Sequence, residues 1–250
     1  MNITKKVAFV TGSNRGIGFE AARELAEKNV HVIISSRDEK SGLLALNELS
    51  KKGLVNVSLL TFDVSKPEDH KKAFNFIAEK FGHLDILINN AGVWLDETDV
   101  ALGGNKTSTT SIDIIRKTFD INFFSLIELT QILLPLIKKS EAGRIVNLSS
   151  ILGSQSYHAD PQSMIYNNKA FAYNASKVAL NTFTIHLAHE LKNTNIKVNS
   201  AHPGWVKTDL GGPKAMIEIV DGGKTSVMLA LLNEDGPTGG FFHLDKKIPW

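Results

Sequence analysis

Short apolar runs rich in β-branched residues alternate with longer amphipathic stretches along this chain, and this alternation constrains the fold most strongly. The runs lack a strict polar–apolar alternation, as is typical of strands buried on both faces of a parallel sheet. Strand–helix–strand repeats cover both faces of such a sheet with helices. The predicted strands are 7–10, 30–35, 57–62, 84–88, 145–148, 196–201 and one around 239–244; the predicted helices are 18–29, 39–51, 67–81, 112–138, 172–191 and 225–232. The sequence therefore predicts an α/β fold, a doubly wound parallel sheet of Rossmann-like type.

Length and composition indicate a single dinucleotide-binding and catalytic domain over residues 1–250. Of the 250 residues, 42% are hydrophobic and 22% charged, which is ordinary globular usage and excludes global disorder. The chain has no Cys, which excludes a disulfide scaffold, a Cys nucleophile and a thiolate zinc site. A formal net charge of +2 without a run of Lys or Arg argues against nucleic acid or a membrane surface as a partner. The N-terminal apolar run is too short for an export signal, so a cytoplasmic location is expected.

A glycine-rich segment joins the first predicted strand to the first predicted helix. Glycines in such a turn let the backbone approach a pyrophosphate, and the helix N-terminus adds N–H groups and partial positive charge. The alternative is an ordinary tight turn without a ligand. The predicted phosphate loop consists of Gly12, Ser13, Asn14, Arg15, Gly16, Ile17 and Gly18.

The end of the second strand indicates which dinucleotide is bound. A cofactor with a free ribose 2′-hydroxyl usually meets an acidic residue about 20 positions beyond the glycine loop. That position holds Ser36, followed by Arg37, and an Arg fork assisted by Arg15 would pair with a 2′-phosphate. This favours NADP(H), while Asp38 keeps NADH open because a shift of one residue would place a carboxylate there.

The end of the third strand carries Asp63 and Val64, which are expected to flank the adenine. The alternative for Asp63 is a role in the first turn of the next helix. Three irregular segments, 93–111, 151–169 and 204–224, follow strand ends and are the expected walls of the site.

Tyr173 and Lys177 are four positions apart near the start of a predicted helix, so their side chains project from one face. An adjacent ammonium stabilises phenolate and lowers the pKa of a phenol, which is ordinarily about 10. Such a Tyr can give a proton to a ketone oxygen as hydride arrives and take it back in the reverse direction. A hydroxyl from Ser149-Ser150, at a strand end, would hold the substrate oxygen. The pair taken alone also fits an ordinary surface helix.

Motifs along nearly the whole chain resemble those of the short-chain dehydrogenase/reductase family, in the family's order. They are Thr11-Gly12-x-x-x-Gly16-x-Gly18, Asn89-Asn90-Ala91-Gly92, Asp120-Ile121-Asn122, Ser149-Ser150, Tyr173 with Lys177, and Pro203-Gly204 followed by Val206 and Thr208. The resemblance implies that Asn122 kinks a helix and feeds a proton-relay water, that Ser150 is the catalytic serine, and that Lys177 also binds the nicotinamide ribose.

The same resemblance implies further cofactor contacts outside the glycine loop. Residues of the Asn-Asn-Ala-Gly stretch are expected against the adenosine ribose, and residues after the sixth strand against the nicotinamide carboxamide. These two sets are Asn90, Ala91 and Gly92, and Pro203, Gly204, Val206 and Thr208.

The last third of the chain is similar to the NADPH-dependent carbonyl reductases, through Pro203-Gly204-Trp205-Val206-Lys207-Thr208-Asp209 and Gly212-Pro213-Lys214-Ala215. Tyr173 follows Ser150 by 23 positions, a spacing between the family's short form and the large insertion of the animal enzymes. The resemblance implies NADPH-dependent reduction of carbonyl compounds by a monomer or homodimer. A reductase or dehydrogenase of acyl, steroid or sugar alcohol substrates and a non-catalytic NADPH-binding regulator remain alternatives.

Aromatic residues in the three irregular segments are expected to surround the substrate. Trp94, Tyr157 and Trp205 would favour small apolar or aromatic ketones, quinones and aldehydes. Each of them could equally cover the core as a loop residue. His186 and His189 lack the acidic partner and spacing of a zinc motif, so no metal is expected.

Overall fold

The computed structural model describes residues 6–96 and 106–250. Within them, one eight-stranded sheet has the order β3-β2-β1-β4-β5-β6-β7-β8, with β8 antiparallel to β7 and every other pair parallel. The strands are β1 Val7–Val10, β2 His31–Ser36, β3 Val57–Thr61, β4 Ile86–Asn89, β5 Arg144–Leu148, β6 Lys197–Ala201, β7 Phe241–His243 and β8 Lys246–Lys247. The predicted doubly wound sheet is confirmed.

The helices lie between the strands, as the alternation predicts. They are α1 Gly16–Glu27, α2 Glu39–Lys51, α3 Pro67–Lys80, α4 Ile112–Phe119, α5 Ser125–Ile137, α6 Gln155–Ala159, α7 Phe171–Glu190, α8 Ile219–Gly222 and α9 Lys224–Ala230. The predicted long helix 112–138 is two helices joined by a π-helical turn, Asp120–Phe124, in which the Ser125 N–H bonds the Asp120 carbonyl five residues earlier. The short helices α6 and α8 fall in segments expected to be irregular.

Two apolar clusters hold the helices on the two faces of the sheet. On one face, Phe9 and Leu87 pack with residues of α3, α5 and α7, including Leu133. On the other face, Val10 and Ile34 pack with α1, α2 and α9. Because the strands are buried on both sides, their residues are apolar at successive positions.

One helical stretch among the described residues, Ile112–Ile137, is long and apolar enough by composition to cross a membrane. The core helix of a soluble protein meets the same criteria. In this fold the stretch is broken by the π-helical turn, and its second part contributes Leu129, Leu133 and Leu136 to the core.

The functional cleft is located by the order of the strands. β1 lies between β2 and β4, so the winding of the chain reverses there, and ligands of such sheets bind beyond the carboxyl ends of strands at that reversal. Of the three segments expected to wall the site, 151–169 and 204–224 are described throughout, whereas residues 97–105 of the first lie outside the described residues.

Candidate active site

The glycine loop after β1 has the backbone that its glycines predict. Gly12 and Gly16 adopt φ values of 60° and 61°, in the left-handed region that L side chains disfavour. A Cβ on Gly18 would lie 2.4 Å from Asn90 Nδ2 and 2.6 Å from the Gly12 carbonyl oxygen. The loop can therefore take this path only with glycine at these positions.

Two serines join the loop to the end of β2. The Ser13 hydroxyl donates to the Val10 carbonyl at 2.7 Å and accepts the Ser35 N–H at 2.9 Å. The Ser35 hydroxyl accepts the Gly12 N–H at 2.9 Å. The Ser13 N–H also donates to the Ser35 carbonyl at 3.0 Å, so the hydroxyl and the N–H of Ser13 are both occupied within the protein, and a cofactor contact of Ser13 stays a prediction.

Asn90 braces the same loop from the end of β4. Its Nδ2 donates to the carbonyls of Thr11 and Gly12 at 2.8 and 3.0 Å. The N–H groups of Asn90 and Ala91 both donate to the Thr11 hydroxyl at 2.9 Å. The Asn90 amide is therefore a structural support beneath the predicted ribose site.

The N-terminus of α1 has the properties of an anion site. Gly16 begins the helix, and the N-cap residue Arg15 has an extended backbone. Within the part of the chain that the structure describes, the Arg15 side chain makes no hydrogen bond to the first turn. The first turn also carries no acidic residue. Its N–H groups and the helix dipole therefore favour negative charge, and the glycine backbone leaves room for a pyrophosphate.

The residues after β2 explain what the Asp38 carboxylate does. Asp38 is the N-cap of α2, and its Oδ2 accepts the Ser41 N–H at 2.8 Å and the Ser41 hydroxyl at 2.6 Å. These two hydrogen bonds lower the pKa of Asp38. The carboxylate is committed to the helix, which leaves the exposed Arg37 as the charged group offered to a ribose substituent and favours a 2′-phosphate.

Asp63 and Val64 follow β3 and form a compact turn. Asp63 Oδ1 accepts the N–H and the hydroxyl of Ser65 at 3.0 and 2.7 Å. Partial burial opposes its ionisation, but the Ser65 hydrogen bonds and the charge of Arg37 outweigh burial and lower the pKa of Asp63. Asp63 therefore stabilises its own turn, the alternative raised above, while its contact with an adenine stays a prediction.

An ion pair links the glycine loop to the segment after β6. Arg15 Nη1 lies 2.5 Å from Asp209 Oδ2, and both side chains are largely exposed. In that segment Gly204 has a φ of 87°, Val206 forms a β-bridge with Ile217, and the Thr208 hydroxyl accepts the Gly211 N–H at 3.1 Å. The ion pair holds this segment against the glycine loop, and the contacts expected between a nicotinamide and Pro203, Gly204, Val206 and Thr208 stay predictions.

Asn122 lies at the centre of the π-helical turn and is fully buried. Its Nδ2 donates to the Val93 carbonyl at 2.9 Å and to the Ser176 hydroxyl at 3.1 Å, and its Oδ1 accepts the Val93 N–H at 2.8 Å. The amide therefore ties the segment after Gly92 to α7. The extra residue of the π turn directs this side chain towards both partners.

Ser150, Tyr173 and Lys177 come together at the ends of β5 and α7. The Ser150 hydroxyl accepts the Leu152 N–H at 3.2 Å and lies close enough to the Tyr173 phenol to act on its pKa. Lys177 Nζ donates to the Leu148 carbonyl at 2.8 Å and lies 5.6 Å from the centroid of the Tyr173 ring. Tyr173 and Lys177 are both buried. The three side chains expected from the sequence to act together are therefore neighbours.

The direction of the Tyr173 pKa shift differs from the sequence-based expectation. Burial raises the pKa of Tyr173 to about 12, although the Ser150 hydrogen bond partly opposes this. Burial also lowers the pKa of Lys177 to about 8. Loss of solvent around the phenolate is the larger cause of the Tyr173 shift, while the Lys177 ammonium is engaged with the Leu148 carbonyl. Tyr173 therefore holds its proton at neutral pH, as a proton donor requires.

His202 supports the turn that carries Ser150, a role that motif analysis missed. Its Nδ1 accepts the Ile151 N–H at 3.2 Å, at the start of the 3₁₀ turn Ile151–Gly153. Burial and the neighbouring His243 lower the pKa of His202 to about 3, so the ring stays neutral and keeps this acceptor. The position of His202 immediately before the Pro203-Gly204 motif is the sequence signal that could have identified it.

The aromatic residues expected around the substrate differ in their surroundings. The Trp94 ring stacks on that of Tyr173, with centroids 4.6 Å apart and an interplanar angle of 27°. Tyr157 packs against the apolar cluster that contains Tyr173, together with Ile165. Trp205 is half exposed and donates from Nε1 to the Gly211 carbonyl at 2.8 Å. Trp94 and Tyr157 are thus gathered around the phenol, whereas Trp205 covers a turn of its own segment.

Comparison with known proteins gives the family. The family model described as short chain dehydrogenase matches residues 6–216. The chain is 32% identical to a (+)-neomenthol dehydrogenase of Arabidopsis thaliana over an alignment 286 positions long, with 96% of each chain covered. It is 30% identical to carbonyl reductase (NADPH) 1 of Mus musculus over an alignment 289 positions long, with 100% of each covered. The chain belongs to the short-chain dehydrogenase family, which confirms the resemblance seen in its motifs.

Solved structures have the same fold over almost the whole chain. Salutaridine reductase from Papaver somniferum superposes with a TM-score of 0.82 at 27% identity, covering 97% of this chain and 100% of that one. An NADPH-bound carbonyl reductase from chicken fatty liver superposes with a TM-score of 0.83 at 25% identity, covering 99% and 100%. This likeness confirms the Rossmann-like fold class.

Proposed function

We propose that this chain uses NADPH to reduce small apolar or aromatic carbonyl compounds, such as ketones, aldehydes and quinones, to alcohols, with Tyr173 as the proton donor. The observation that carries the proposal is a buried phenol, Tyr173, that lies beside the Ser150 hydroxyl and has the Lys177 ammonium 5.6 Å from its ring centroid. Similarity to proteins named carbonyl reductase, neomenthol dehydrogenase and salutaridine reductase supports carbonyl chemistry. In this proposal residues 1–250 form one dinucleotide-binding and catalytic domain.

The cleft residues fit a dinucleotide with a 2′-phosphate. The glycine loop and the N-terminus of α1 would hold the pyrophosphate, and Arg37 with Arg15 would hold the 2′-phosphate, for which Arg15 would exchange its Asp209 partner. Similarity to an NADPH-bound carbonyl reductase structure supports this cofactor. When bound, NADPH supplies the hydride that adds to the carbonyl carbon.

Ser150 and Tyr173 would act on the substrate oxygen. The Ser150 hydroxyl donates a hydrogen bond to that oxygen as negative charge develops on it. The Tyr173 O–H bond then breaks as its proton forms the O–H bond of the alcohol, and general acid catalysis of this kind typically contributes 10²- to 10⁴-fold. Lys177 stabilises the phenolate that remains, and Asn122 holds Val93 and α7 in place.

The surroundings of the phenol support an apolar substrate. Trp94, Tyr157 and Ile165 lie with Tyr173 in one apolar cluster. A flat or aliphatic carbonyl compound would bury apolar surface against such side chains, whereas a charged acyl carrier or a sugar would lose hydrogen bonds to water there.

The test is the consumption of NADPH, followed by its absorbance, with a panel of aryl ketones, quinones, aliphatic ketones and aldehydes. Tyr173→Phe should reduce turnover at least 100-fold while the NADPH dissociation constant stays within about twofold. Tyr166→Phe, a substitution at a more exposed tyrosine, is the matched control and should leave both quantities unchanged. Retained turnover in Tyr173→Phe would overturn the assigned proton donor; tight NADPH binding without turnover of any carbonyl would favour a regulator.

Cofactor preference is tested separately with Arg37→Ala. We expect this variant to weaken NADPH binding by at least tenfold and NADH binding by less than twofold, because only NADPH carries the 2′-phosphate. Arg116→Ala, at an exposed arginine on α4, is the control for loss of one positive charge. Equal losses for both cofactors would contradict the phosphate role of Arg37.

A further inference from the structure

Asp96 places a buried carboxylate against the first turn of α7. It lies on the segment that follows β4 and is 6% exposed. Its Oδ1 accepts the Ala172 N–H at 3.0 Å, and its Oδ2 accepts the Tyr173 N–H at 2.8 Å. The two oxygens therefore bind the backbone of the proposed proton donor and of the residue before it.

The start of α7 lacks a cap of its own. The helix begins at Phe171, and its N-cap residue is Ala170, whose side chain has no acceptor. An N-cap side chain normally accepts the N–H of the second or third helical residue, which here are Ala172 and Tyr173. Asp96 supplies both hydrogen bonds from a position 76 residues earlier in the chain. Its negative charge is also favourable beside the positive end of the helix dipole.

The same short segment holds the Tyr173 ring. Trp94 stacks on that ring, and the Trp94 Nε1 donates to the Asp96 carbonyl at 3.2 Å. Tyr173 is thus fixed through its backbone by Asp96 and through its ring by Trp94. A residue that fixes both the first turn of α7 and the loop beside the phenol controls where the phenol lies relative to Ser150.

We propose that Asp96 is a positioning residue for carbonyl reduction, acting as a long-range cap that holds the turn of α7 on which Tyr173 is placed. It does not touch the reacting atoms; it sets the position of the phenol beside Ser150 and one turn before Lys177. The expected effect of Asp96 on kcat rests on the proposed function, whereas its expected effect on the first turn of α7 can be measured without turnover.

The kinetic test compares Asp96→Ala with the wild-type protein. A displacement of about 1 Å can cost on the order of 100-fold in rate, so we expect kcat to fall 10- to 100-fold in Asp96→Ala, with the NADPH dissociation constant unchanged. The solvent deuterium isotope effect on kcat should rise, because transfer of the misplaced proton becomes slower. Asp96→Asn keeps one oxygen acceptor and should lose less activity than Asp96→Ala.

A double variant with a new N-cap on α7 distinguishes a positioning role of Asp96 from a general loss of stability. Ala170→Ser places a hydroxyl at the N-cap of α7, where it can accept an N–H that has lost Asp96 as its partner. The double variant Asp96→Ala with Ala170→Ser should therefore have a higher kcat than Asp96→Ala alone. We expect it to recover at least a third of the loss in kcat, measured on a logarithmic scale. Asp85→Asn is the control, since this buried carboxylate accepts the Val7 N–H at 2.7 Å on another part of the sheet. It should lower thermal stability without changing kcat.

Amide hydrogen exchange gives a readout that needs no substrate. The amides of Ala172 and Tyr173 should lose protection in Asp96→Ala and regain it with Ala170→Ser. Unchanged exchange of these two amides in Asp96→Ala would overturn the role of Asp96. If the wild-type protein reduces carbonyls, an unchanged kcat in Asp96→Ala would overturn it as well. A wild-type protein that reduces no carbonyl but shows the exchange pattern would overturn the proposed function and leave the cap established.

Discussion

Replacing Asn122 with Ala should destabilise the fold by at least about 3 kcal/mol. The substitution removes three buried hydrogen bonds, two to the Val93 backbone and one to the Ser176 hydroxyl. A typical intramolecular hydrogen bond contributes about 1 kcal/mol net, and a buried group left unpaired costs about 1–3 kcal/mol. The Val93 N–H and carbonyl would both lose the partner they have in this structure, so about 3 kcal/mol is the low end. That is a large fraction of the 5–15 kcal/mol typical of a folded domain.

The measurement is urea unfolding followed by tryptophan fluorescence, with the free energy of unfolding extrapolated to water. Asn181→Ala is the matched control, because Asn181 is also a buried Asn but makes one hydrogen bond, from Nδ2 to the Gly153 carbonyl at 3.1 Å. We expect a loss of about 1 kcal/mol there. If Asn122→Ala loses no more stability than Asn181→Ala, the role given to the Val93 contacts is refuted.

Two further predictions concern the cofactor loop and the pH dependence. Gly18→Ala would bring a Cβ to 2.4 Å from Asn90 Nδ2, so the substitution should displace the glycine loop. We expect the NADPH dissociation constant, measured by fluorescence titration, to rise at least tenfold. An unchanged NADPH affinity would contradict the close packing of Gly18 against Asn90. Because the pKa of Lys177 is lowered to about 8, its ammonium is present below that pH and lost above it, so kcat for carbonyl reduction should fall as pH rises through about 8. A kcat that stays flat between pH 7 and 9.5 would show that the charge of Lys177 is not required.

Local signals in the sequence were sufficient for the long elements. The strand Val7–Val10 and the helix Glu39–Lys51 have the predicted bounds, because a buried strand needs a continuous apolar run and Asp38 marks the start of α2 with a cap. The short helices α6 and α8, of five and four residues, are too brief to show a helical period. The periodicity did not show the turn Asp120–Phe124, because one extra residue leaves the stretch apolar and continuous; the family resemblance alone implied a kink at Asn122.

The sequence was enough to predict which residues form the candidate site, but not the pKa values of those residues. Ser150, Tyr173 and Lys177 could be identified because their types and order are those of a known family. The raised pKa of Tyr173 could not, because burial depends on residues far away in the chain, such as Trp94. Asp96 was missed for a related reason: its partners on α7 are 76 and 77 positions away, and no periodicity or motif connects them.

The π-helical turn makes the geometry of this site depend on residue count as well as on the identity of Asn122. Deleting one residue between 120 and 124 would let α4 and α5 merge into an ordinary helix, with the ladder of main-chain bonds repaired. Because a π turn accommodates its extra residue within a single turn, α4 and α5 would keep nearly the same orientation relative to each other. The packing of α4 and α5 against the core would survive such a deletion, whereas the Asn122 amide would lose the direction that the π turn gives it towards Val93 and Ser176, so the extra residue serves the site rather than the core.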